Sequence, residues 1–140
     1  MMGGMTNRRQ TLHYICTTCC KDKRTDEQPL PAIQRYRSAR IDAIATLSKQ
    51  LGKPLVILSG KYGLVDADQN IPWYDEILTT ESLPHLMPIV CQQLVDLQIS
   101  QLSFHAVAKE VPGMGPYHEV LEQACARQGI PLLVTSVADL

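Results

Sequence analysis

The stretch PLVILSGKYGLVDADQNIPWYDEIL, residues 54–78, joins two unlike halves. Leu55 to Leu58 form an unbroken apolar run, the pattern of a strand buried on both faces, as in a parallel sheet covered by helices. The second half gathers Ser59, Gly60, Lys61, Tyr62, Gly63, Asp66, Trp73, Tyr74 and Asp75 into one turn-rich segment. In α/β domains ligands bind at the carboxyl ends of such strands, so this segment lies where a pocket would be built.

Upstream, Gly52-Lys53-Pro54 stops a helix, glycine taking the left-handed conformation that proline keeps from continuing. That helix opens at Pro31, whose missing N–H would be unpaired there anyway. From Ala32, the spacing of Ile33, Tyr36, Ile41, Ile44, Leu47 and Leu51 predicts one buried face, with Ala39 and Ala43 on the same side. Before it, LHYIC (Leu12–Cys16) reads as a short strand followed by a charged loop. Downstream, Leu83, Leu86, Val90, Leu94 and Leu97 mark a second helix that begins near Pro84. QLSFHAVA (101–108) is the third strand. Tyr117, Val120, Leu121, Ala124 and Cys125 mark a third helix closed by Gly129, and PLLVTSV (131–137) is the fourth strand. The alternation is β-α-β-α-β-α-β. Strands joined by single helices run parallel through right-handed crossovers, which predicts a three-layer α/β/α domain with a four-stranded, mostly parallel sheet.

The 140 residues suit one domain over residues 12–140, preceded by a polar, flexible arm over residues 1–11. A hydrophobic share of 45% with 19% charged residues is ordinary for a globular protein. The five cysteines are an odd number at irregular spacing, and LHYIC is too short for a signal-peptide core. These features predict a cytoplasmic chain with reduced thiols. No apolar run nears the roughly 20 residues that span a bilayer, so no membrane partner is expected. A formal charge of −1 supplies no global basic field for nucleic acid, although a local patch would still bind it.

In a parallel sheet the loops leaving the strands' carboxyl ends share one edge. Here they are CTTCCKDK (16–23), SGKYGLVDADQNIPWYDE (59–76) and AKEVPGMGPY (108–117), and they should bring Cys19, Lys61 and Met114 to one cavity. Each loop also has a plain reading. SGKYG lacks the spacing of a nucleoside-triphosphate loop. Gly60 and Gly63 either permit turns or bare their backbone amides, together with Ser59 and Lys61, to an anion or carbonyl oxygen. Tyr62, Trp73 and Tyr74 are either a lid on the core or stacking platforms for a planar ligand. Asp66 and Asp75 either cap turns or serve as acid–base carboxylates, and Gly113, Gly115 and Tyr117 complete the third loop. Cys16, Cys19 and Cys20 invite a metal, but a closed zinc site needs four ligands and the chain has no second such pair, so no metal or cofactor is assigned. Lys21, Lys23 and Arg24 fit a solvated charge run, with phosphate contact as the alternative.

LSGKYGLVDADQNIPWYDEIL resembles the signature of a family of small, uncharacterised bacterial and phage domains, approximately I-L-S-A-K-Y-G-L-[LV]-x-P-[DE]-x-x-[IV]-x-P-Y-[DE]-x-x-L. The amino-terminal part is similar too: a strand ends near Cys16, a lysine-bearing loop with Lys21 or Lys23 comes next, and PAIQRYRS supplies Tyr36 and Ser38. Weaker likenesses run to the peroxide-stress-response family and to the uracil-DNA-glycosylase-like domains of tRNA-modifying enzymes. Ala67 stands where proline is usual, Gly60 replaces alanine and the proline before Tyr74 is displaced by one. The resemblance implies strand order 2-1-3-4 and a setting in nucleic-acid or nucleobase metabolism. Taken with the loop chemistry, that setting gives a first reading: a nucleobase or nucleotide ligand, held by Cys16, Cys19, Lys21, Tyr36, Ser38 and the second loop, with action on an N-glycosidic bond or modified base by Lys61, Asp66 and Asp75. Two other readings stand beside it: a non-catalytic module for nucleic acid or protein, and a thiol or metal protein.

Overall fold

The computed structural model describes residues 12–138; the arm expected over residues 1–11 lies outside them. Along the chain come β1 (His13–Thr18), β2 (Leu30–Pro31), α1 (Ala32–Arg35), α2 (Ala39–Leu51), β3 (Leu55–Ser59) and β4 (Gly63–Asp66). Then come β5 (Asn70–Ile71), α3 (Leu83–Asp96), β6 (Gln101–Ala106), α4 (Gly115–Gln128) and β7 (Leu132–Ser136). The central sheet has five strands in the order β4-β3-β1-β6-β7, while β2 and β5 form a small antiparallel ribbon. β1 pairs in parallel with both β3 and β6, so Cys16 lies level with Val56 on one side and Phe104 on the other.

Side chains alternate across the sheet and meet helices on both faces. Cys16, Val56, Leu58, Leu102 and Phe104 pack against α3 and α4 through Leu86, Val90, Val120 and Leu121. Ile15, Leu55 and Ile57 face the other way, where Ile41 and Ile44 of α2 cover them. All of β3 is buried, as its unbroken apolar run requires. Each fully buried aliphatic or aromatic side chain of this core stabilises the fold by about 1.5–3 kcal/mol relative to exposure.

The expected four-stranded sheet is a five-stranded one. Gly63–Asp66, read as loop, pairs antiparallel with β3 and closes the sheet's edge, with Ser59 opposite Gly63. A hairpin of this tightness needs a residue with positive φ after the turn, and Gly63 supplies it at φ 76. Ser59 Oγ fastens the turn by accepting the N–H groups of Lys61 at 3.1 Å and Tyr62 at 3.0 Å. Gln93 on α3 then clamps it, accepting from Leu64 N at 2.6 Å and donating to Tyr62 O at 2.9 Å.

The single helix expected from Ala32 to Leu51 is broken. Tyr36 is extended at φ −86 and ψ 137, and Ser38 caps a new start by accepting the Ile41 N–H at 3.2 Å. A serine hydroxyl offers the backbone an alternative to helix continuation, which spacing of apolar residues does not register. The restart changes the buried face: Arg40, Ile41, Ile44 and Ser48 point inward, while Ala39 and Ala43 are turned away from the core. Ser38→Ala should cost about 1 kcal/mol of unfolding free energy, read from the urea midpoint; an unmoved midpoint would mean the cap is dispensable.

Candidate functional site

The chain leaves β1 toward β3 on one side of the sheet and returns to β6 on the other. Between β1 and β6 the connections therefore diverge, which is where open α/β sheets form their crevice. A cleft of about 150 Å³ opens there. Thr18, Cys19, Cys20, Lys21 and Lys23 line it from the end of β1 and the loop beyond, and Met114 and Tyr117 from the start of α4. Asp75, Glu76 and Ile77 close it from the segment after β5.

Buried arginines set the shape of the first loop. Arg40 donates through Nη1 to Thr17 Oγ1 at 2.7 Å and Thr18 O at 2.9 Å, and through Nη2 to Cys19 O at 3.3 Å. Arg35, fully buried, donates to the carbonyls of Arg24, Asp26, Gln28 and Ile71. Lys23 forms an antiparallel bridge with Tyr36, which draws it in beside the sheet. Only 9% of Lys23 is exposed, so the charge run read as solvated is not uniform: Lys21 and Arg24 lie outside and Lys23 inside.

A hydroxyl network sits beneath. Tyr36 and Tyr74 share a hydrogen bond at 2.5 Å between their phenol oxygens, and Ser59 Oγ donates to Tyr74 at 2.8 Å. The Tyr117 oxygen accepts the Leu78 N–H at 3.2 Å and lies 3.9 Å from the Cys19 thiol, which donates to it. Burial pushes the Tyr36, Tyr74 and Tyr117 phenols well above their ordinary range, with the nearby Cys19 adding to the rise. All three stay protonated near neutral pH and retain an O–H to donate. The Cys20 thiol is likewise pushed up by burial, against the opposing Arg37 backbone hydrogen bond, and donates to Asp22 O at 3.1 Å.

Of the candidate residues, Cys19, Lys21, Asp75 and Tyr117 come together at the cleft with Met114. Lys61 does not line it: exposed, it places Nζ 5.3 Å from the centre of the Tyr62 ring. Cys16 is inside the core rather than in the loop, because β1 runs on to Thr18, and burial raises its thiol well above the usual range. Asp66 turns its carboxylate back to accept the Asp68 N–H at 2.9 Å. Tyr36, Ser59 and Tyr74 are buried in the hydroxyl network, Ser38 caps α2, and Gly63 serves the hairpin. Trp73 is half exposed and Tyr62 packs edge-on against Tyr74 at 5.2 Å, so neither forms a wall of the cleft. Gly113 and Gly115 leave open space where a Cβ would stand.

Gly60 has a role other than the turn. A Cβ there would stand 2.7 Å from Leu78 N and 3.1 Å from both Glu76 O and the Tyr117 oxygen. It brings the segment behind Asp75 against the end of β3. Thr18, Glu76 and Ile77 are cleft residues that the sequence singled out for no role, while Cys20 entered only through the cysteine cluster and Lys23 only as the alternative phosphate contact. A lysine inside a run of charges gives no signal of burial until its strand bridge is known. Among the described residues, no group of three or more His, Cys, Asp or Glu side chains is placed to hold a metal ion, and no helix is long and apolar enough to cross a membrane.

No curated protein and no solved structure matches the chain. A family model does match, over residues 15–129, a span running from β1 through the cap of α4 and taking in every wall of the cleft. By that match the chain belongs to the family of unknown function DUF6884.

Proposed function

We propose that this domain binds a nucleobase- or nucleotide-type ligand in the cleft at the carboxyl edge of its sheet. The observation that carries the reading is the joining of unlike chemistry at the β1–β6 divergence. Lys21 and Lys23 offer cationic donors, Asp75 and Glu76 offer acceptors, and Met114 and Ile77 offer apolar surface. A heterocycle edged with N–H and carbonyl groups uses all three kinds at once. The Tyr117 hydroxyl adds a neutral donor beside the Cys19 thiol. At about 150 Å³ the cleft is smaller than the roughly 300–1,000 Å³ of ordinary ligand sites, so it suits one ring system with its substituent projecting outward.

For action on an N-glycosidic bond, Asp75 is the carboxylate this reading retains, since Asp66 is engaged in its own turn. A thermal-shift screen against bases, nucleosides, nucleotides and short oligonucleotides tests the proposal. A ligand at 100 times its Kd should stabilise the fold by about 2.7 kcal/mol, and Asp75→Asn should sharply reduce that gain. Absence of any hit, or hits indifferent to Asp75→Asn, would remove the reading. Tight binding only to oligonucleotides, weakening steeply with salt, would favour the nucleic-acid module instead.

A further inference from the structure

Lys23 presents an unfinished electrostatic arrangement. Its Nζ lies 4.7 Å from the centre of the Tyr74 ring and 5.9 Å from that of Tyr36, and it donates to Lys21 O at 3.4 Å. Among the described residues no carboxylate reaches it within ion-pair distance; the ion pairs found there join Arg24 to Asp26 and Lys109 to Glu122. Ring faces and one long carbonyl contact offset only part of the cost of withdrawing an ammonium from water. A lysine serving packing alone extends its head to solvent, whereas this side chain is nine-tenths buried and lines the cleft. The strand bridge to Tyr36 fixes its backbone, and burial leaves its stem little room to swing away.

We infer that Lys23 is the anchor for an anionic group, phosphate or carboxylate, on the ligand that enters this cleft. The inference rests on reading the cleft as a ligand site and adds the charge the ligand carries. Asp75 and Glu76 rim the opening and would repel an anion placed near them, so the polarity of binding is fixed. The anionic group goes inward to Lys23, and the ligand's N–H donors face the carboxylates. A lysine ammonium serves as a compact point charge for such a group, with charge-assisted hydrogen bonds that are shorter and stronger than neutral ones.

Calorimetric titration of the full chain tests the anchor, using nucleoside 5′-monophosphates, the matching nucleosides, pyrimidine carboxylates, uncharged pyrimidines and inorganic phosphate as probes. At least one charged probe should bind about 10-fold or more tightly than its uncharged counterpart. Lys23→Met should erase that preference and Lys23→Arg should keep part of it. Preference for the monophosphates with phosphate itself binding identifies the anion as phosphate; preference for the pyrimidine carboxylates identifies it as carboxylate. Equal affinity for charged and uncharged partners, absence of charged-probe binding, or a preference that survives Lys23→Met overturns the anchor. Should Lys23→Met fail to fold, alkylation of Cys19 by iodoacetamide in the unmutated protein decides. The tight-binding charged probe should slow it about 10-fold while its uncharged partner, at equal concentration, does not, and equal protection by both overturns the anchor. Lys23-dependent binding of phosphate with no base or nucleoside effect would uphold the anchor and remove the nucleobase reading; binding of uncharged bases alone would do the reverse.

Discussion

Arg35→Met should lower the unfolding free energy by about 3–5 kcal/mol, a drop of roughly 10–15 °C in Tm for a domain of this size. The guanidinium has no exposed surface and no carboxylate within ion-pair distance among the described residues. Instead its two terminal nitrogens hold four main-chain carbonyls: Arg24 at 2.6 Å, Asp26 at 3.1 Å, Gln28 at 2.8 Å and Ile71 at 3.2 Å. Three of those acceptors belong to a loop without helix or sheet ladders of its own, so the arginine substitutes for the missing secondary structure. Methionine preserves much of the apolar stem but leaves one buried and three partly buried carbonyls without their donor, a buried one costing about 1–3 kcal/mol before the loop relaxes. Relaxation toward water is what limits the total.

Arg35→Lys separates charge from geometry. A lysine restores the cation but not the rigid fork that reaches several carbonyls, so most of the loss should remain. Because the same loop carries Lys21 and Lys23, the ligand binding proposed for the cleft should fall in both variants even below their midpoints. Urea unfolding and calorimetry on both proteins check this. A methionine variant within about 1 kcal/mol of the parent would show that the loop is held by other means.

This dependence on long-range carbonyl contacts explains which parts of the molecule were legible from the residues alone. The Gly52 and Gly129 helix stops are local signals, and both glycines adopt positive φ, at 65 and 67. The apolar run of β3 is local as well, and a buried central strand is what it demands. β4 is different. Its four residues begin in glycine and end in aspartate, and they become a strand because the turn beneath them is pinned by Ser59 and by Gln93, which lies far along the chain. β7 was recognisable as a strand, yet its apolar pattern could not show that it occupies the sheet's edge with Leu133 and Val134 largely exposed.

The cleft divides the same way. That one edge of the sheet would gather Cys19, Lys21, Asp75, Met114 and Tyr117 is a consequence of the common direction of the parallel strands. The direction in which each side chain points is not. Lys61 and Lys23 are alike in type and both occupy strand-end loops, but the hairpin turns the first to solvent while the bridge to Tyr36 turns the second inward. Cys16 was misplaced by a different route. Two further residues of β1 carry Thr17 and Thr18 as strand, and that moves the thiol from the loop into the core.

Gly60→Ala should cost about 2–3 kcal/mol and reshape the cleft, the second-largest effect expected for this fold. Gly60 is absent from the positive-φ positions, so the strain would be steric rather than conformational. An added Cβ at 2.7 Å from Leu78 N meets main chain, not the yielding tip of a flexible side chain. Moving Leu78 away breaks its hydrogen bond to the Tyr117 oxygen, and shifting Glu76 moves a wall of the cleft. Gly115→Ala is the fitting control, since beyond its chain neighbours and its own helix backbone no atom lies within 4 Å of its added Cβ, and its φ is not positive; it should stay within about 0.5 kcal/mol of the parent. The two variants are read by urea midpoint and by the rate at which iodoacetamide modifies Cys19. In Gly60→Ala the thiol should react faster as the 76–78 segment lifts, while in Gly115→Ala the rate should hold. If Gly60→Ala matches the control in both measurements, the close approach of this segment to the end of β3 is not what closes the cleft, and Tyr117 must be held in place by its helix alone.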